Sequence, residues 1–469
     1  MMPSPETLQS FINVVGEKNA ISNAADMAAY MREWRDLWPG TSPLVLRPAN
    51  TDEVSRILKI AYETNTGVVP QSGNTGLVGG QMPTGPEVLL SLDRMTKIIS
   101  VDADDYSMTV EAGCILKNLQ NVAHDVDRLF PLSLASEGSC RIGGNLSTNA
   151  GGLNVLAYGN ARDLCLGLEV VLADGRIWNG LKKLRKDNTG YDLKNLFIGA
   201  EGTLGVITAA VLKLYPKPRR YDTAFIAVPS PQAAVDLLAL LKNESGNRAV
   251  AFELMPEIGM GFTVKHMGIT NPILTPSPWF VLTELADAVP GSFETILEKA
   301  MELGIVTDAS VAQSDAQRQA LWAIRELMPE SQRHEGGSIK HDVSVPMSHI
   351  PAFISEATAA VHGFMADARV MCFGHMGDGN MHFNVSQPVG MNKSTFLNQW
   401  HAMNWLVFDV VLKHGGSISA EHGIGQLKRD DMLRIKSPVE LDMMRQVKAM
   451  LDPKGIMNPG KVLPTVRSE

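Results

Sequence analysis

Two histidines, an asparagine and a Glu-His pair carry the densest chemistry in this chain. Residues 370–385 read VMCFGHMGDGNMHFNV. Two β-rich runs flank Asp378-Gly379, a pair suited to a type I′ two-residue hairpin because both central residues need positive φ. Counting outward from that turn, Gly377 faces Asn380, Met376 faces Met381 and His375 faces His382. The imidazoles then form a cross-strand pair with Cβ atoms roughly 4.5–5.5 Å apart, and period two puts Asn384 on their face. Glu421-His422 follows in a glycine-flanked loop, SAEHGIG, which offers a third ligand and a base. Two His and one carboxylate with an open position make a catalytic zinc-type set rather than a closed structural one. Mn²⁺ also fits, since these ligands do not settle the metal.

Further charges lie upstream. Arg325 sits in WAIRE, on a helical pattern whose apolar face includes Leu321, Trp322 and Leu327. In IKHDVSVP, alternation places Lys340, Asp342 and Ser344 on one strand face. Taken one at a time, Arg325 and Lys340 read as surface groups.

Three glycine-rich loops point to a second ligand. PQSGNTGLVGGQMP, residues 70–83, spaces Gly73, Gly76 and Gly79 three apart, and a strand pattern, EVLLSL, follows. A dinucleotide fingerprint reads GxGxxG and opens a helix; here a phosphate would instead meet successive backbone N–H groups. LASEGSCRIGGNLSTNAGG, residues 134–152, and GAEGTLG, residues 199–205, repeat the small-residue theme. Small residues let backbone approach a flat ligand closely, and Ser136, Thr148 and Asn149 add hydrogen-bonding heads. Together the loops would hold an extended, phosphate-bearing cofactor.

The elements that must position these groups fall into two rhythms. LVLRPA, TDEVSRILKIAYETN and TGVVP form a β-α-β start, and VITAAVLKLYP is a strand after the third loop. Pro216 and Pro218 mark a boundary. Beyond it TAFIAVP, WFVLTEL, IVTDASVAQ and IKHDVSVP are strands separated by single helices, among them SPQAAVDLLALLKN with Ser230 as cap. The pattern predicts an antiparallel sheet with helices on one face. A helix over 394–413 and a last one from Ser437-Pro438, with Glu440 at the capping-box position, complete the chain. The expected division is 1–217 for cofactor, 218–390 for substrate and 391–469 as a helical segment carrying Glu421 and His422. The fold class is α+β.

At 469 residues the chain suggests two or three domains. A formal net charge of −8 argues against a nucleic-acid surface. The basic run Lys182-Lys183-Leu184-Arg185-Lys186 reads as a solvated face. No apolar stretch approaches the roughly 20 residues of a membrane span, and the first residues lack a signal peptide's pattern. Four scattered cysteines fit a reducing compartment, so a soluble, cytoplasmic protein is expected. On the residues alone, a metallohydrolase with glycine loops as scaffold stays open beside an enzyme that uses such a cofactor, as does a non-catalytic cofactor-binding subunit.

Over about residues 44–462 the sequence resembles the FAD-binding proteins of the vanillyl-alcohol-oxidase type, in the branch of FAD-linked D-2-hydroxyacid dehydrogenases. The three loops match that family's cofactor contacts, and NPGKV at 458–462 matches its closing motif. The resemblance implies FAD held by Pro70, Ser72, Gly73, Asn74, Thr75, Gly76 and Leu77; by Ser136, Gly143, Gly144, Ser147, Thr148, Asn149 and Gly152; and by Glu201, Gly202, Gly205, Ile207 and Asn458. No His occurs in the three loops, so non-covalent FAD is implied. Relatives acting on D-2-hydroxyglutarate place Arg and Lys fifteen residues apart to bind carboxylates, as Arg325 and Lys340 stand here, and carry an asparagine matching Asn384. A threonine four residues after their arginine is Pro329 in this chain. The resemblance therefore implies oxidation of a D-2-hydroxy acid, D-2-hydroxyglutarate ahead of D-lactate or D-malate. Arg325, Lys340 and Asn384 would bind substrate, His375, His382 and Glu421 the metal, and His422 would bind substrate and act as base. An electron-transfer flavoprotein or a quinone is the implied acceptor, and a homodimer is compatible.

Overall fold

The structure is a computed structural model and describes residues 2–464. The chain divides into two compact units. The first comprises the described parts of Met1–Gly151, Gly159–Lys217 and Glu421–Glu469; the second comprises Gly152–Tyr158 and Pro218–Ala420. The expected segment 391–469 is thus shared between them, and a short piece after the second glycine loop goes with the second unit.

The first unit holds two larger sheets. β1 (Ala20–Ile21), β2 (Val45–Leu46), β3 (Val68–Gln71) and β4 (Val88–Ser91) run in the order β1-β2-β4-β3, with β2 and β3 parallel to β4. The crossover from β2 to β3 is the helix Thr51–Thr64. Asn50 caps it by accepting from the Glu53 N–H, and Val54, Ile57, Leu58 and Ala61 are buried, which is the 3.6-residue stripe the sequence shows. β5 (Ile98–Asp102), β6 (Ser107–Glu111), β7 (Arg128–Leu129), β8 (Cys165–Val171), β9 (Ile177–Gly180), β10 (Val206–Lys213) and β11 (Tyr215–Pro216) follow. Five of them form an antiparallel sheet in the order β5-β6-β10-β8-β9, and β7 pairs with β11. As expected, the first loop leads into a strand, β4, and the third into β10.

The second unit is built on one antiparallel sheet. Its strands are β12 (Tyr221–Val228), β13 (Ala249–Pro256), β14 (Trp279–Ala286), β15 (Asp308–Val311), β16 (Ser338–Ser344), β17 (Arg369–His375) and β18 (Asn380–Ser386). They lie in the order β15-β12-β14-β13-β17-β18-β16. The central strand β13, AVAFELMP, is buried at every position, as a strand covered on both faces must be.

Helices, expected on one face, cover both. Asp315–Ser331 and Glu257–Met267 lay Trp322, Ile324, Met328 and Met260 against Phe225, Leu282, Met371 and Phe373. On the other face, Phe353 of the helix Ile350–Phe364 packs on Phe383, and Phe408 of Trp400–Lys413 packs on His341. The sheet's nearly unbroken apolar runs require cover on both sides, which alternation read strand by strand underestimates. The helix expected over 394–413 is two, Lys393–Leu397 and Trp400–Lys413. No helix among the described residues is long and apolar enough to cross a membrane.

Candidate active site

The hairpin differs from the two-residue turn expected at Asp378-Gly379. Met376–Asp378 form a 3₁₀ turn, and within 376–379 only Gly379 takes left-handed backbone, at φ 91°. The longer connection moves the pairing by two residues, so His382 faces Phe373 rather than His375. A slip of two keeps every side chain on its face, whereas a slip of one would have reversed it. The two imidazoles therefore stay on the same side, diagonal to one another, with ring centroids 5.4 Å apart. Their nitrogens suit a borderline cation such as Zn²⁺.

His375 instead lies opposite Glu253 of β13. Its Nδ1 is 2.6 Å from Glu253 Oε1, and Arg325 Nε donates to Glu253 Oε2 at 2.6 Å. The Glu253 side chain is 0% exposed. Burial by itself would raise this carboxyl, but His375 and Arg325 on its two oxygens outweigh burial and hold it at about 2. Arg325, which read as a possible surface charge, is buried, with its guanidinium carbon 4.8 Å from the centre of the Phe373 ring. Its terminal nitrogens have no protein partner among the described residues.

The other side of the hairpin completes the face. Lys340 pairs with Asn384, Asp342 with His382 and Ser344 with Asn380, so the alternation expected for IKHDVSVP holds. Asn384 is buried and donates through Nδ2 to Gln332 Oε1 at 2.9 Å, while Gln332 Nε2 donates to Ser386 Oγ at 2.8 Å. Lys340, His375, His382 and Asn384 thus form one polar stretch of an otherwise apolar sheet, and Arg325 reaches it from the helix Asp315–Ser331 through Glu253. Ser417 pairs with Ser344, and the Ala420 N–H donates to Asp342 O at 3.4 Å. The residue after Ala420 is Glu421, where the chain enters the first unit, followed by His422.

In the first unit the glycine loops converge. A Cβ on Gly73 would lie 2.7 Å from Ser139 O, one on Gly144 3.2 Å from Ser72 Cβ, and one on Gly202 3.1 Å from Pro70 Cγ. These glycines allow loop-on-loop approach. Gly143 and Gly205 instead press on their own sheet, against Ala112 and Val170. Ser147 Oγ and Thr148 Oγ1 donate to the carbonyls of Gly143 and Gly144, and Asn149 Oδ1 accepts from the Arg162 N–H. Ser72 Oγ, Asn74 Oδ1 and Asn145 Oδ1 are buried with no partner among the described residues. Buried polar groups normally find partners, so loops with unsatisfied atoms fit a polar cofactor such as FAD.

Glu201 and Asn458 have scaffold tasks. Glu201 is buried and its carboxylate accepts from the N–H groups of Ile424 and Gly425, at 2.7 and 2.8 Å. Burial raises this carboxyl. The third glycine loop therefore grips the loop that carries Glu421 and His422. Asn458 Nδ2 donates to the carbonyls of Gly80 and Glu201, joining the closing motif to two glycine loops.

Comparison with known proteins agrees with this layout. Residues 42–180 match an FAD binding domain, and residues 217–462 match the C-terminal domain of FAD linked oxidases. A protein of Danio rerio named "D-2-hydroxyglutarate dehydrogenase, mitochondrial" is 41% identical over 436 residues, 92% of this chain and 80% of that one. The chain belongs to the FAD-linked oxidase family, among the D-2-hydroxyglutarate dehydrogenases. An Arabidopsis thaliana member of the same name is 39% identical over 97% of this chain and 81% of its own length. The solved structure of p-cresol methylhydroxylase with substrate bound shares the fold, with a TM-score of 0.75 at 17% identity over 97% of this chain and 96% of that one. For this family member, the C-terminal match contains Arg325, Lys340, His375, His382, Asn384, Glu421 and His422, and the FAD-binding match contains the first two glycine loops. Glu253, Gln332 and Asn145 are not among the residues that the sequence singles out. Asn145 sits inside a loop already singled out. For Glu253 the signal was a lone acid in an apolar strand, AVAFEL.

Proposed function

We propose that this protein is an FAD-dependent, metal-assisted dehydrogenase that oxidises D-2-hydroxyglutarate to 2-oxoglutarate. The observation that carries the reading is one sheet face bearing two histidines, a lysine and a buried asparagine, joined by a buried arginine from the helix packed on that face. Such a set suits a substrate with two carboxylates and a hydroxyl.

His375, His382 and Glu421 would hold a divalent metal, Zn²⁺ or Mn²⁺, and the glycine loops a non-covalent FAD. Bound there, the metal would supply Lewis acidity at the substrate hydroxyl, and FAD the capacity to take up a hydride. The chain's own residues do the rest. Arg325 offers a planar fork to one carboxylate, and Lys340 offers a point charge to the other. Asn384, held by Gln332, presents a fixed amide. His422 takes the hydroxyl proton, since imidazole titrates close to neutral pH. Fixing the carboxylates orients Cα for transfer, which lowers the entropic part of the barrier. Electrons would leave to an electron-transfer flavoprotein or a quinone, and a cytoplasmic protein is expected, with which a homodimer is compatible.

The test is anaerobic bleaching of the flavin band near ~450 nm, a property of the cofactor, by D-2-hydroxyglutarate, D-malate and D-lactate, with and without chelator. Fast, chelator-sensitive bleaching by the five-carbon diacid is the expected result. Bleaching chiefly by D-lactate would overturn the substrate assignment, and bleaching indifferent to chelator would overturn the metal's role.

A further inference from the structure

The carboxylate of Glu253 joins two groups that the proposed reaction uses separately. It lies in the central strand of the sheet, in register with His375 and 122 residues away in sequence. One oxygen meets His375 Nδ1 at 2.6 Å, and the other accepts from Arg325 Nε at 2.6 Å. A fully buried carboxylate is costly to desolvate, and replacing a buried ion pair by apolar side chains is often neutral or stabilising. Stability is therefore a weak reason for an acid at this place.

Its two contacts suggest a better one. A ring nitrogen that donates to a carboxylate fixes the tautomer and ring plane, and makes the opposite nitrogen a stronger ligand. An arginine whose Nε is anchored keeps its two terminal nitrogens together for a bidentate partner. We propose that Glu253 is a positioning residue for both halves of the site: it holds His375 so that Nε2 ligates the metal, and holds Arg325 so that its terminal nitrogens receive a substrate carboxylate. This rests on the reading of His375 as a metal ligand.

The bland alternative is that Glu253 only neutralises Arg325 in the core. Glu253→Gln separates the two, because an amide oxygen can accept from one neighbour but its NH₂ must then face the other donor. Zinc ions are titrated into chelator-stripped, FAD-loaded protein against a chromophoric competitor, and KM and kcat are measured with D-2-hydroxyglutarate.

The variant is expected to bind zinc about 10–100-fold more weakly and to raise KM about tenfold, with FAD content unchanged. Wild-type zinc affinity in the variant would overturn the inference, and failure of the wild type to bind zinc would instead overturn the metal site itself. If the variant does not fold, Glu253→Gln/Arg325→Met removes the unpaired cation. The zinc defect should persist there, and recovery of wild-type affinity would reduce Glu253 to a counter-charge.

Discussion

In the first unit the groups that meet across the glycine-rich loops are mostly backbone, spaced by missing side chains, whereas the second unit sets four polar side chains on one rigid sheet face and a fifth, Arg325, on the helix packed against it. The contrast follows from the ligands each would take. An extended cofactor with phosphates and a flat ring is matched by close backbone approach and many N–H donors. A small diacid offers few atoms, so each must meet a charge at a fixed place. Substitutions should therefore act by crowding in the first unit and by charge in the second.

The largest effect tests the loop that follows the second unit. His422→Ala should lower kcat by about 10²–10⁴-fold while FAD and zinc stay bound; stopped-flow reduction of the flavin measures it. A loss below tenfold would move the base elsewhere. Next, Arg325→Met should destabilise the second unit by about 3–5 kcal/mol, because Glu253 stays buried with half its partners gone. Urea unfolding followed by intrinsic fluorescence reads this, and unchanged stability would mean the ion pair is not formed in solution.

Gly73→Ala sharpens the contrast from the other side. Its Cβ would press on Ser139 O at 2.7 Å and Cys140 Cα at 2.8 Å, an overpacking of about 1–3 kcal/mol that should lower FAD retention while zinc affinity stays at the wild-type value. A fall in zinc affinity of the same size would dissolve the distinction between the units. Lys340→Ala should raise KM for D-2-hydroxyglutarate about tenfold, or about 1.4 kcal/mol, and barely change that for D-lactate; equal changes would remove Lys340 from the distal carboxylate.

The smallest expected effect lies away from the site. Lys265, His266 and Arg369 hold the Glu335 carboxyl at about 2, below its ordinary 4.5. A depressed carboxyl stabilises fully above its unfolded value, and the contribution is lost as pH falls from about 4.5 to about 2. Comparing the unfolding free energies of the wild type and Glu335→Gln by urea denaturation, from neutral pH down through that window, should show a gap of about 1 kcal/mol at neutral pH that closes on acidification. A constant gap would assign the effect to packing.

Much of this molecule is legible in its sequence. Periodicity was enough for the Thr51–Thr64 helix, the strands after the glycine loops, and the shared face of Lys340 and Asp342, because helix and strand periods are local properties of the backbone. The face of His375 and His382 survived an error in their pairing because strand parity tolerates a shift of two. The turn itself was misread: Asp-Gly favours a two-residue hairpin, but packing of the second unit supports a 3₁₀ turn over Met376–Asp378 instead. Cover on both sheet faces was missed for a related reason, since a half-buried strand and an edge of a fully covered sheet share one alternation.

What the linear order of residues determined was which side chains could act and which strand or loop would carry each, since those depend on near neighbours. Only the tertiary structure decided who meets whom across long separations. Glu253 gains Arg325 at 72 residues and His375 at 122, Asn384 gains Gln332, and Glu201 grips a loop 223 residues away. Those partners depend on strand order and loop closure, and sheet pairing fixes them through contacts that no local pattern encodes.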